Sequence, residues 1–115
     1  MHALIIEDEA LIALAIEDAL RGCGCTSFDF GVSLETAVAA AERRCPDLIT
    51  ADVRLAPGSG IDAVEAICSK KPVPVVFITA TGGEVRRRLP QHIIVGKPFA
   101  AAHIVEAVRL ALRAD

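Results

Sequence analysis

Groups suited to moving a phosphoryl group stand at the ends of short apolar runs in this chain. Glu7, Asp8 and Glu9 follow Ala3 to Ile6, Asp52 follows Leu48 to Ala51, Thr79 closes the run from Val75, and Lys97 follows Ile93 to Val95 between Gly96 and Pro98. Two carboxylates about 4 Å apart repel by roughly 4 kcal/mol at an effective dielectric of 20, so such acids either fan into solvent or share a cation. Oxygen ligands from Asp8 and Asp52, with a backbone carbonyl nearby, suit Mg²⁺, which keeps several waters and takes one or two carboxylates from protein. A strand-end carboxylate beside that metal can attack phosphorus and form an acyl phosphate. Thr79 and Lys97 then offer a hydroxyl donor and a positive charge to the oxygens of the transferred group.

These residues converge only if the runs are strands of one parallel sheet, whose functional groups collect at the carboxyl ends near the switch point in strand order. The pattern supports that. Strand-length runs (Ala3 to Ile6, Ser27 to Phe30, Leu48 to Ala51, Val75 to Thr79, Ile93 to Val95) alternate with segments of helical period, as in stacked βα units. Their β-branched and aliphatic content suits strands buried on both faces.

Ile12, Ile16, Ala19 and Leu20 predict a helix from about Glu9 to Arg21, stopped at Gly22. Ser33 reads as the N-cap of a helix reaching Arg44, before Pro46. A third helix is predicted over Ile61 to Ser69, and a last over Ala100 to Arg113 with Ile104, Val108, Ala111 and Leu112 on one stripe. Between Gly83 and Leu89 there is room for only two poorly apolar turns, so the fourth helix is expected to be short or irregular.

The 115 residues, 53% apolar, suffice for one core and leave no room for a second domain. A net charge of −3, with Arg86-Arg87-Arg88 as the only cationic cluster, argues against nucleic-acid binding. No run is long enough to span a membrane, and the N-terminus lacks signal-peptide features, so the expected location is the cytoplasm. Cys23 and Cys25 are too close for an ordinary disulfide, and Cys45 and Cys68 lack metal-ligand spacing. All four read as small core residues or incidental thiols.

With "IIEDE", "DLITADVRL", "SGIDAVEAI", "PVVFITA" and "GKPF" in this order, the chain resembles a response regulator receiver domain over essentially its whole length. The resemblance implies a flavodoxin-like (βα)5 doubly wound sheet of order 2-1-3-4-5, with residues 1–115 forming one receiver domain and no output domain in the chain. It implies Asp52 as phosphoacceptor and Mg²⁺ held by Asp8, Asp52, the Arg54 carbonyl and Glu7, the last directly or through water. Thr79 becomes the switch hydroxyl, Ala80 the small residue leaving room for phosphate, and Lys97 the phosphate-binding cation preceding a cis proline. The implied donor is a histidine kinase or phosphotransfer protein, and the output an unknown protein target. Neither nucleic acid nor membrane is a direct partner, and the chain is a monomer or a phosphorylation-dependent dimer.

The sequence departs from that family in three places. The aromatic residue usual three positions before the lysine is Ile94, so a signal must travel by backbone and loop rearrangement or through another side chain. The stretch from Thr79 to Lys97 is short, and its "FITATGG" partly resembles the loop of an atypical subfamily with a "FATG" motif, seen among single-domain regulators. Pro57 falls one place late, implying a differently shaped loop beside Asp52; Arg54 and Thr81 flank the site and are expected to influence phosphate lifetime.

Plainer roles compete for other residues. Glu9 reads mostly as a helix-start acid, Asp47 as a solvated turn residue, and His2, His92 and His103 as structural or surface residues. Leu11 and Leu14 form a second apolar edge on the first helix, suited equally to a docking kinase and to packing against the core or last helix. The rival overall reading is a receiver-like interaction module working without phosphorylation. An aspartate-nucleophile phosphatase would want a second acid where Arg54 stands, and no dedicated enzyme is expected.

Overall fold

In the computed structural model, which describes residues 1–55 and 58–113, strands and helices alternate along the chain. They are β1 (His2–Ile6), α1 (Ala10–Arg21), β2 (Ser27–Gly31), α2 (Leu34–Arg43), β3 (Leu48–Ala51), α3 (Gly60–Cys68), β4 (Val75–Thr79), α4 (Gly83–Arg88), β5 (Ile93–Gly96) and α5 (Ala101–Arg113). The strands form one parallel sheet, as the alternating pattern predicts, and its order β2-β1-β3-β4-β5 is the flavodoxin-like arrangement that the resemblance implies. Pro57, and with it the expected change in loop shape, lies outside the described residues.

Strand periodicity splits the core into two layers. Leu4, Ile6, Ile49, Ala51 and Phe77 face α2 and α3, whereas Ala3, Ile5, Leu48, Val76 and Ile78 face α1 and α5. Each fully buried Leu, Ile or Phe removes apolar surface worth about 1.5–3 kcal/mol, so the three central strands supply the main burial. Only these are buried along their whole length; β2 and β5 lie at the sheet edges and are half-exposed, correcting the expectation of burial on both faces throughout.

Local chemistry fixes the helix starts. The Ser33 hydroxyl accepts from Thr36 N–H while Thr36 Oγ1 accepts from Ser33 N–H, a reciprocal cap for α2, and the Ser59 hydroxyl accepts from Ile61 N–H at the start of α3. Gly31 lets α2 settle on β2, since a Cβ there would lie 2.6 Å from Ala37 Cα.

Glu9 stands at the N-cap of α1, the helix-start place expected for it, although its side chain makes no capping bond. Two expectations change. Leu112 is 40% exposed, and Ala107 takes its place on the buried stripe of α5. Leu11 and Leu14, 82% and 57% exposed, do not pack into the core.

The amino end of the sheet is pinned by polar contacts. His2, buried, places Nδ1 2.7 Å from Ser27 Oγ and Nε2 2.9 Å from Asp29 Oδ2, while its backbone N–H donates to Asp47 Oδ2 at 2.8 Å. That backbone donor holds the Asp47 carboxyl below its ordinary range. Asp47 is thus an exposed turn residue that also ties the start of β3 to β1.

Thr50, level with Ile5 and Val76, is fully buried and its hydroxyl has no hydrogen-bond partner among the described residues. A buried polar group left unpaired costs more than the net gain of a typical hydrogen bond. Thr50→Val, of nearly the same shape, is expected to raise unfolding stability by about 1 kcal/mol in urea titration; a loss of stability would show that the hydroxyl has found a partner.

Candidate functional site

The site is built by continuing the parallel ladder one residue past β1, β3 and β5. Asp52 N–H donates to the Ile6 carbonyl at 3.0 Å, which sets Asp52 beside the end of β1 and next to Glu7. Lys97 N–H donates to the Thr79 carbonyl at 3.1 Å, which brings the lysine level with β4. The peptide from Lys97 to Pro98 is cis, as the resemblance implied. On the far side, Gly60 N–H donates to the Val53 carbonyl, and α3 begins so close that a Cβ on Gly60 would fall 1.6 Å from the Asp52 carbonyl oxygen. Only glycine fits there without displacing the backbone of Asp52.

Side chains then converge. Lys97 Nζ lies 2.6 Å from Asp52 Oδ2 and 2.9 Å from Glu7 Oε1, and Glu7 Oε2 accepts from Glu9 N–H at 3.2 Å. Oxygens of Glu7, Asp8 and Asp52 all lie within 4.8 Å of one another, the one such group of three acids among the described residues. Asp8 is exposed, whereas Asp52 and Glu7 are buried. Three carboxylates therefore face one ammonium, an excess of negative charge that favours a further cation.

Burial pushes the Glu7 carboxyl above its ordinary value, and the bond from Lys97 only partly offsets this. For Lys97 the balance is reversed. Burial disfavours its charge, yet the bonds to Asp52 and Glu7 outweigh that and push its pKa up, so it stays protonated.

Thr79, Ala80, Thr81 and Arg54 complete the rim of a shallow depression of about 320 Å³ over Asp52. Thr79 is buried, Ala80 exposed and Thr81 half-buried. Arg54 N–H donates weakly to Asp52 Oδ1 at 3.4 Å, and a bridge to Ser59 fixes its backbone beside the acids. Ile94 lies away from this depression, half-buried against Gly82 and the α2/α3 layer of the core.

The donor set fits a hard divalent cation: it offers oxygens only, at least one of them open to solvent, with no thiol or imidazole among them. Two features were not read from sequence. Glu7 bonds Lys97 directly, and Gly60 limits how Asp52 is seated; a glycine directly after an N-capping Ser59 was the available signal for the second.

Because the folded-state pKa of Glu7 lies above its unfolded value, its stabilising contribution is complete at acid pH and is lost as pH rises through the folded pKa. Glu7→Gln, which keeps an acceptor for Lys97, is therefore expected to raise the thermal midpoint of the metal-free protein at neutral pH. The difference from wild type should shrink below the ordinary carboxylate range. An equal difference at all pH values would contradict this.

The response regulator receiver domain family matches residues 3–109. The phyllosphere-induced regulator PhyR of Methylorubrum extorquens is 38% identical over 95% of this chain and 42% of its own length. The transcriptional regulatory protein PdtaR of Mycobacterium tuberculosis is 34% identical over 96% of this chain and 56% of its own. The chain thus spans about half the length of these relatives. Among solved structures, the receiver domain of Erythrobacter litoralis PhyR superposes with a TM-score of 0.85 at 37% identity, covering 96% of this chain and 88% of that one. Brucella abortus PhyR gives 0.88 at 34% identity over 96% and 47%. Sequence, sheet order and these similarities agree: the chain belongs to the response regulator receiver domain family.

Proposed function

We propose that this chain, residues 1–115 acting as one receiver unit, accepts a phosphoryl group on Asp52 from a phosphohistidine of a histidine kinase or phosphotransfer protein. The observation that carries this reading is the meeting of Asp52 with Glu7, Asp8 and Lys97 at one rim, with Lys97 Nζ 2.6 Å from Asp52 Oδ2. In the transfer, an Asp52 carboxylate oxygen forms a bond to phosphorus as the bond from phosphorus to the imidazole nitrogen breaks. The imidazole nitrogen keeps the electron pair of the broken bond, and with a proton on its other ring nitrogen the histidine leaves as neutral imidazole.

Asp8, Asp52 and the Arg54 carbonyl would hold Mg²⁺, with Glu7 contributing directly or through water. Bound there, the metal supplies neutralising charge for the crowded carboxylates and for the incoming phosphoryl oxygens. The protein's own residues do the rest. Lys97 pairs with a phosphoryl oxygen, Thr79 donates its hydroxyl to another, and Ala80 keeps the approach open because a larger side chain there would crowd it. Arg54 and Thr81, both lining the depression, govern the access of water and so the lifetime of the acyl phosphate. The chain assists its own phosphorylation and dephosphorylation but is not a dedicated enzyme.

Exposed Leu11 and Leu14 on α1, near Asp8, favour contact with the phosphodonor. The output is a change in a protein-binding face that includes α4, β5 and α5. Bartonella quintana PhyR is described as an anti-anti-sigma factor, and a protein target of regulatory type fits the present chain as well. Among the described residues no helix is long and apolar enough to cross a membrane, and the setting we propose is the cytoplasm.

Incubation with Mg²⁺ and a small acyl-phosphate donor, followed by intact-mass measurement, tests the assignment. Wild type should gain one phosphoryl group and Asp52→Asn none. Equal adducts on both would move the site elsewhere, and no adduct on wild type would favour an interaction module that works without phosphorylation.

A further inference from the structure

We propose that Thr81 is a positioning residue for the switch: its hydroxyl holds the Thr79 hydroxyl in the resting state, and displacement of Thr79 reaches Ile94 through Gly82. The inference rests on the reading of Asp52 as phosphoacceptor and assigns the regulation of that site.

Thr79 Oγ1 accepts from Thr81 N–H at 3.1 Å and lies 3.3 Å from Thr81 Oγ1. Among the described residues these are its hydrogen-bond partners, since Lys97 is engaged by Asp52 and Glu7. The Thr79 side chain is buried, so water does not replace a bond it gives up. With Oγ1 already accepting from Thr81 N–H, we place the Thr79 O–H proton on Thr81 Oγ1, so that donating to a phosphoryl oxygen on Asp52 means exchanging that donor bond for the new one. The Thr81 N–H, still tied to Oγ1, follows the move.

The next residue carries the displacement onward. Gly82 opens α4 without a side-chain cap, and Ile94 Cγ2 occupies the space beside it so closely that a Cβ on Gly82 would lie 3.1 Å away. Ile94, level with Phe77 on β4, also packs into the layer under α2 and α3. A shift of the 81–82 backbone thus presses on or releases Ile94 without any aromatic side chain having to swing. Short range and tight packing make the coupling discrete, because a filled space accepts a change of arrangement more readily than a graded compression.

The test uses beryllofluoride with Mg²⁺ as a stand-in for the acyl phosphate, on wild type, Thr81→Val and Thr81→Ser, with isoleucine methyl groups labelled for NMR. Thr81→Val, which keeps the shape and loses the hydroxyl, is expected to bind beryllofluoride about two- to tenfold more tightly, the range set by one net hydrogen bond. Its Ile94 methyl resonances should already be displaced toward the bound position of wild type before the probe is added. Thr81→Ser should track wild type, and Mg²⁺ affinity should be the same in all three.

A Thr81→Val that matches wild type in affinity and in Ile94 position overturns the inference, as does a Thr81→Ser that behaves like the valine variant. Unequal Mg²⁺ affinities would overturn it too, by moving the effect to the acids. No beryllofluoride uptake by wild type would remove the phosphoacceptor reading itself, and this inference with it.

Discussion

One ammonium group holds the carboxyl rim of this sheet together. Lys97 reaches from the end of β5 to Asp52 beyond β3 and Glu7 beyond β1, binding three strands whose acids otherwise repel. A buried ion pair contributes little net stability after desolvation, but removing one partner leaves the other uncompensated. The arrangement therefore fixes geometry more than it stabilises the fold. Among the described residues it also leaves Asp8 and part of the negative charge unanswered, a balance that favours a divalent cation.

The two ends of the sheet solve opposite problems. At the amino end, His2 bonds both Ser27 and Asp29, and Asp47 caps the His2 backbone, so the polar groups there are satisfied. At the carboxyl end, the ladder runs one residue beyond β1, β3 and β5, and among the described residues the acids there outnumber the one ammonium that meets them. Parallel strands with short βα loops make this asymmetry natural, since each loop leaves the sheet at the same rim. Gly60 closes the geometry by bringing α3 against the Asp52 carbonyl, so the loop that carries Arg54 and the residue that would accept phosphate share one rigid frame.

Most of this architecture was legible from pattern. Five apolar runs with helical segments between them sufficed for the sheet, Ser33 for the start of α2, and the acids, Thr79 and Lys97 for the rim. What escaped were relations across the fold. The exposure of Leu112 and the burial of Ala107 depend on how α5 sits against the sheet, and a helical stripe read one-dimensionally is uncertain by about one position at its edge. The direct Glu7–Lys97 bond joins residues from opposite ends of the chain, and no local spacing encodes it. Edge exposure of β2 and β5 follows from strand order, which residue types within a strand report only weakly.

The central claim is that the crowded acids at the rim are balanced only partly by Lys97 and fully by a divalent cation. Thermal or urea unfolding across a Mg²⁺ series at constant ionic strength measures this most directly. If the cation binds only the folded state, stability rises logarithmically with Mg²⁺, by about 2.7 kcal/mol at a hundredfold excess over the dissociation constant. Asp8→Asn should flatten that dependence while raising the metal-free baseline. A wild-type stability that does not respond to Mg²⁺ would contradict the account.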